Sequence, residues 1–217
     1  MLTRREVAAG LAATALAIGP GGAARAQEAA QRTLPPPKTS GGMPLIDALT
    51  LRRSTRAYSD RPLEPQVLSD LLWAANGVNR PSGDRTAPCW KHVAVIDIYV
   101  AMADGVWLYN PEAHALVLRQ KDDLRAVTGA QDFIGVAPLN LVYVAHSERM
   151  TDVGSEERRL FASADACFIG QNVYLFCASV GLASVFRGSA NRANLGAAMN
   201  LPDGQFVTFA QTIGYPA

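Results

Sequence analysis

From residue 43 onward the apolar positions of this chain change period several times, and each change marks an element. Residues 43–51 keep a helical period, and in 64–78 Val67, Leu68, Leu71, Leu72 and Ala75 recur at helical spacing until Gly77 ends the run. Residues 79–91, with Pro81, Gly83 and Pro88, have loop composition, and the β-branched run 93–100 reads as a strand. Two further apolar runs, 105–109 and 115–118, are joined by turn residues, so with the preceding strand they predict a β-meander. A short helix is expected at 122–127 and a buried strand at 139–145.

The longest helical segment is 156–180. Its apolar positions, including Leu160, Phe161, Phe168, Ile169, Val173, Leu175, Phe176 and Val180, fall around the whole circumference. Such a helix is expected to be buried on all sides, in the centre of a domain or in a dimer interface, with the polar pair Gln171 and Asn172 hydrogen-bonded at a dimer core. Gly181 caps it, a short strand follows at 184–187, then a helix at 191–200 and a final strand at 205–214. Helices and strands alternate without a regular βαβ rhythm, which predicts an α+β sandwich of helices around an antiparallel or mixed sheet.

Ahead of this domain the composition changes. Residues 27–42 are rich in Pro, Gly and small polar residues and read as a tether, or as an arm lying on another surface. Residues 1–26 read as a twin-arginine export signal: Thr3-Arg4-Arg5-Glu6-Val7, an apolar stretch to Ile18, then Ala24-Arg25-Ala26 as a small-x-small cleavage site. That stretch is 12 residues long, whereas a membrane-spanning helix needs about 20, so no permanent anchor is expected. Cleavage after Ala26 would leave one domain-sized chain. The twin-arginine route moves folded proteins, which suits a chain that acquires a cytoplasmic cofactor before export. With the leader, the net charge is +1; loss of Arg4, Arg5, Arg25 and Glu6 makes it −1. A near-neutral chain does not suggest nucleic acid or an anionic membrane as partner.

Candidate chemistry concentrates at Arg52-Arg53-Ser54-Thr55-Arg56, where three guanidiniums and two hydroxyls fall in five residues. Guanidinium forks match phosphate oxygens in pairs, so the run is a phosphate-grade donor cluster; the alternative is a solvated basic helix end. Cys89, Cys167 and Cys177 give no disulfide framework, because the last two lie about 15 Å apart along one helix at 1.5 Å per residue. No His or Cys spacing resembles a metal site, and His92, His114 and His146 are isolated in sequence.

The run Arg52-Arg53-Ser54-Thr55-Arg56-Ala57-Tyr58 resembles the Arg-Arg-Ser-x-Arg-x-Phe opening of the nitroreductase family of flavoproteins. Residues 76–81, Arg85-Thr86-Ala87-Pro88, 168–174, 181–188 and Gln211-Thr212-Ile213-Gly214-Tyr215-Pro216 extend the resemblance over most of 43–217, toward the branch that includes the azoline oxidases. The resemblance implies an FMN-binding homodimer with the flavin at the subunit interface and the long helix in that interface. Arg52, Ser54 and Arg56 match positions that hold the FMN phosphate, ribityl chain and pyrimidine edge, and Arg53 matches a position that also lines the cofactor. Pro88 and Cys89 match a Pro-Ser pair lying against the isoalloxazine. Arg187 and Gly188 match the segment whose backbone runs beside the flavin near N5. Two departures stand out: the loop continues Cys89-Trp90-Lys91-His92, with His92 near an Asn position, and no basic residue follows the last strand before Ala217. Weakened FMN binding is the expected consequence.

The resemblance implies an oxidoreductase in which the cofactor carries the chemistry and the protein positions it. A reduced donor such as NAD(P)H and a small organic acceptor would use one open pocket in turn. NAD(P)H is scarce outside the cytoplasm, so export argues for another donor or for the reverse sense of reaction. Two alternatives are a flavin-binding, non-catalytic dimer and a dimer that has lost FMN and serves as a scaffold. Cys89, His92 and the tryptophans Trp73, Trp90 and Trp107 are read chiefly as packing or surface groups.

Overall fold

The computed structural model describes residues 30–217; the expected export signal lies outside the described residues. A seven-stranded sheet has β1 (Gln31–Thr33), β2 (Ile96–Met102), β3 (Gly105–Asn110), β4 (Ala115–Gln120), β5 (Leu139–His146), β6 (Ala183–Arg187) and β7 (Gln205–Gly214) in the order β1-β4-β3-β2-β5-β7-β6. Every pairing is antiparallel. The meander is β2–β4, as its alternating turn residues predict. β5 is buried along its whole length, as expected of a strand flanked on both sides and covered on both faces.

Four α-helices accompany the sheet: α1 (Leu45–Leu51), α2 (Pro65–Asn76), α3 (Ser155–Ser179) and α4 (Arg192–Ala198). Pro65 opens α2, where its missing N–H costs nothing. Glu157 accepts from the backbone N–H of Gly154 at the start of α3 (3.3 Å), and Asn191 caps α4 by accepting from Asn194 N (3.1 Å). One face of the sheet carries α2 and α3, with Leu71, Leu72, Ile98, Leu141, Tyr143, Ala166 and Val173 in the main core. The other face packs Tyr99, Val142 and Val144 against Leu195 and Met199 around α4.

Two expectations are corrected. In place of a helix at 122–127 there is a 3₁₀ turn, Arg125–Thr128: Asp123 binds both the backbone N and the guanidinium of Arg125, Thr128 Oγ1 donates to Arg125 O, and the side-chain bonds leave a tight turn that does not propagate. The second concerns α3, which is not buried on all sides within one chain. Ala162, Ala166, Ile169, Gly170, Val173 and Cys177 form its buried stripe, whereas Leu160, Phe168 and Val180 are exposed and Gln171 faces solvent.

Residues 30–38 lie on the domain itself. β1 pairs with β4, Leu34 is buried, and Leu34 N donates to His114 O (3.2 Å). Ser69 donates to Pro35 O, Gln66 to Pro36 O (2.9 Å), and Lys38 N to Asp70 (2.8 Å). The prolines remove donors that an extended edge segment would otherwise leave unpaired, and α2 supplies partners for the carbonyls.

Candidate functional site

The arginine run begins where α1 stops. Arg52 N closes the last turn onto Ala48 O (2.9 Å), and the chain then extends along the outer edge of β6, where Thr55 N donates to Ser184 O (2.9 Å). Tyr58 anchors the far end: it is buried, its hydroxyl donates to Thr55 O, and it pairs with Pro216. Burial raises the Tyr58 pKa, so this anchor stays protonated and able to donate. An extended segment fixed at both ends is a rigid mount for the side chains between them.

Among the described residues, Arg52, Arg53 and Arg56 make no ion pair. Arg53 Nε donates to Leu51 O (3.2 Å), and the Arg52 guanidinium lies 5.1 Å from the Tyr174 ring centroid. Phe186 N donates to the Tyr174 hydroxyl (2.7 Å), which also hydrogen-bonds Ser54 Oγ, 2.8 Å away. A cleft of about 240 Å³ lies here, lined by Arg53, Thr55, Tyr174, Cys177, Ser184 and Pro216 among others. Three guanidiniums without acid partners, one of them (Arg53) lining an open cleft, fit a phosphate group, because their donors are uncommitted to any carboxylate.

The 88–92 loop is built differently. Trp90 N donates to Asp165 on α3 (2.9 Å), and Trp90 stacks on Phe161 at 5.9 Å. Lys91 and His92 then adopt consecutive left-handed conformations, φ 46° and 60°, unusual for residues with a Cβ. The pair turns the His92 ring outward, where it is almost fully exposed, 4.0 Å from Asp84. Cys89 is half-buried, and burial, with Asp165 nearby, raises its pKa; the thiol is therefore not an activated nucleophile. Pro88, Cys89 and His92 line a second cleft, of about 410 Å³, with Arg80, Asp84 and Arg85.

Arg187 ends β6 and Gly188 follows it. Gly188 is exposed, but Arg187 is only 3% exposed. Its guanidinium turns into the protein, donating to Thr212 Oγ1 (2.9 Å), Thr128 O (2.9 Å), Thr128 Oγ1 (3.1 Å) and Asn140 Oδ1 (3.1 Å). Only the backbone of Arg187–Gly188 is left for a ligand at the surface.

One chain therefore does not assemble all the residues that the sequence singles out. The 52–56 run and the end of β6 share β6 and the C-terminal part of α3, through Tyr174. The 88–92 loop sits on the N-terminal part, through Asp165, nine residues earlier in α3 and so about 14 Å away at 1.5 Å per residue. Tyr174 escaped the sequence reading as a site residue, although a phenol in so apolar a helix was the available signal. Arg80 and Arg85, which line the second cleft, were hidden by loop composition. Their guanidiniums bind Arg85 O (2.9 Å) and Glu112 (2.7 Å), respectively. Nor are the histidines isolated in space: His114 lies 2.7 Å from Ser69 and 3.0 Å from the Tyr109 hydroxyl, and His146 is held between Asp97 (2.7 Å) and Glu148 (2.8 Å). No cluster of three metal-ligating side chains occurs among the described residues.

The antiparallel α+β sandwich, with Arg53 lining a cleft beside its edge strand β6, sets the fold class, and comparison with known proteins makes the assignment specific. Residues 49–215 match the model of the nitroreductase family. A nitroreductase-family protein of Methanocaldococcus jannaschii is 34% identical over 155 residues, covering 67% of this chain and 78% of that protein. The crystal structure of a nitroreductase-family protein from Ralstonia eutropha superposes with a TM-score of 0.83 at 46% identity, covering 86% of this chain and 90% of that one. The NADPH:FMN oxidoreductase of Vibrio harveyi, complexed with NAD+, shares the fold at a TM-score of 0.59 and 21% identity, covering 79% of this chain and 68% of that one. This chain belongs to the nitroreductase family and has its fold.

Proposed function

We propose that the protein is an exported, FMN-dependent oxidoreductase that works as a homodimer and transfers electrons between a reduced donor and a small organic acceptor by a ping-pong sequence. The observation that carries this reading is the run of three guanidiniums without acid partners on the segment bordering β6, where Arg53 lines a cleft. Arg52, Arg53, Ser54 and Arg56 hold the FMN phosphate and ribityl chain, and the Arg187–Gly188 backbone borders the ring system. When bound, FMN supplies hydride and electron transfer to and from small organic molecules.

Two features support the dimer. α1 packs on α3, and together they expose Leu45, Ile46, Leu49, Leu160 and Phe168, with Ile46 at 70% and Leu160 at 64%. A patch of this kind marks an interaction surface, and the all-round apolar pattern of α3 is satisfied when a second copy covers it. The two halves of the site, separated along α3 in one chain, then meet across the interface. Pro88, Cys89 and His92 of one subunit close the cleft formed by residues 52–56 of the other. In that arrangement Pro88 and Cys89 exclude water from the ring system, and His92 is an exposed side chain at the entrance.

The azoline-oxidase branch is favoured by the 76–81 and 85–88 motifs. NAD(P)H is the donor if the reaction runs before export; outside the cytoplasm a different donor, or oxidation of the substrate, takes its place. The test is the visible spectrum of the purified protein, mass identification of what heat releases, and steady-state reduction of a quinone or nitroaromatic. The expected result is released FMN near one per chain, with turnover. A colourless protein that cannot be reconstituted overturns the reading; tight FMN without turnover favours the non-catalytic dimer.

A further inference from the structure

The inside of β6 carries a charge that the binding reading does not use. Arg187 is 3% exposed, and its four hydrogen bonds all go to neutral acceptors on Thr128, Asn140 and Thr212. Among the described residues it makes no ion pair. Buried arginines are ordinarily paired, because an uncompensated charge in the interior is costly. Here the acceptors are themselves fixed: Thr212 Oγ1 donates to Asn140 Oδ1 (2.6 Å), Asn140 Nδ2 to Ile134 O (2.9 Å), and Thr128 Oγ1 to Arg125 O (2.8 Å). A Cβ on Gly129 would lie 2.1 Å from the guanidinium, so the surrounding turn is built around this cation.

Hydrogen bonding alone explains a clamp, and a neutral polar side chain would serve that purpose. What the clamp does not explain is the charge. Burial lowers the Arg187 pKa to about 10, so the group is still cationic at neutral pH. Its position gives the charge a use. Arg187 is three residues beyond Ser184 on β6, about 10 Å along an extended strand, and Ser184 both lines the cleft and carries the arginine run through Thr55. A unit charge felt over about 10 Å at an effective dielectric near 20 changes an equilibrium involving another unit charge by tenfold or more.

We propose that Arg187 is a fixed internal cation that favours the reduced, anionic flavin over the oxidised one, acting from behind the strand without touching the cofactor. This rests on the FMN-binding reading above. Uptake of two electrons and one proton by the ring system adds one negative charge, and that added charge is what the buried guanidinium stabilises. Arg187 is a positioning residue in the electrostatic sense, distinct from Arg52, Arg53 and Arg56, which reach the cofactor directly.

The experiment is a redox titration of the FMN-loaded protein against a reference dye, with dithionite as reductant, for the wild type, Arg187→Lys, Arg187→Met and Asn140→Asp. Arg187→Met removes the charge. Asn140→Asp leaves Arg187 in place and gives it a carboxylate partner, so it reports the same effect if the methionine variant does not fold. Both are expected to weaken binding of reduced FMN relative to oxidised FMN by tenfold or more, a fall in midpoint potential of about 30 mV for a two-electron couple. Arg187→Lys, which keeps the charge, is expected to stay near the wild type even where thermal stability drops. If the neutralised variants bind FMN and keep the wild-type potential, Arg187 is a structural clamp only and the inference fails. If the wild type takes up no FMN, it is the binding reading that has failed, and the inference with it.

Discussion

Two charged regions of this molecule are built in opposite ways. At the end of β5, Asp97 receives hydrogen bonds from both Arg149 nitrogens (2.8 and 3.2 Å) and lies 2.7 Å from His146, whose other ring nitrogen lies 2.8 Å from Glu148. Every charge there has a partner, and the knot ties the β5–α3 connection to β2 through Asp97, and to the segment ahead of β2 through Arg149 and Ala94 O (3.0 Å). Beside β6, by contrast, Arg52, Arg53 and Arg56 have none among the described residues. A self-satisfied network contributes to the fold and has little left to offer a ligand. A cluster of like charges kept without partners is destabilising by repulsion, and its retention makes sense as a binding surface. The absence of partners, more than the number of charges, separates site from scaffold here.

The comparison breaks most sharply if the two regions are disabled in turn. Arg52→Ala with Arg56→Ala removes two charged donors, each worth ~1.5–3 kcal/mol. The expected loss of FMN affinity is about 100-fold or more, with the melting temperature unchanged or slightly raised; calorimetric titration and a thermal melt check both. Asp97→Ala should do the reverse. It leaves His146 and Arg149 without their shared acceptor at a cost of about 2–3 kcal/mol, read by urea denaturation, with FMN affinity retained.

Tyr174→Phe probes the seam between frame and site, because its hydroxyl accepts from Phe186 N and faces Ser54. A loss of about 1–2 kcal/mol of stability should accompany a several-fold drop in FMN affinity; a change in only one of the two would show that the hydroxyl serves frame or site alone. The smallest effect is in pH. Burial opposes the charged form of Asp97, but the hydrogen bonds from His146 and Arg149 outweigh it and lower the pKa to about 2. That contribution is present above the unfolded value near 4 and is lost as the pH falls toward 2. For His146, burial is outweighed by Asp97 and Glu148, so its pKa is raised. Its contribution is complete below the unfolded value of about 6.5 and declines as the pH rises through the folded value. Thermal melts of wild type and His146→Gln across pH 5–9 should converge at the alkaline end.

Much of this architecture is legible in the chain because local period and burial agree. The meander, the long helix and the last strand follow from apolar spacing closed off by Gly and Pro. Where side chains bind backbone the period misleads: the Asp123–Arg125–Thr128 bonds make a 3₁₀ turn from a segment with helical composition. Apolar residues around the whole circumference of α3 predict burial in the domain centre or in a dimer interface; one chain covers only the inner stripe, and hydrophobicity alone does not choose between the two. The arginine run was visible as a motif, but its lack of acid partners is a three-dimensional fact. So is the inward turn of Arg187, which depends on Thr128, Asn140 and Thr212, brought from 59, 47 and 25 residues away.

The central claim is that residues 52–56 form a phosphate site, and the most direct measurement is the affinity of the flavin-free protein for FMN against riboflavin, which has the same ring system without the phosphate. The account predicts that FMN binds about 100-fold or more tightly and that Arg52→Ala with Arg56→Ala removes most of the difference. Equal affinities for the two flavins in the wild type would contradict it.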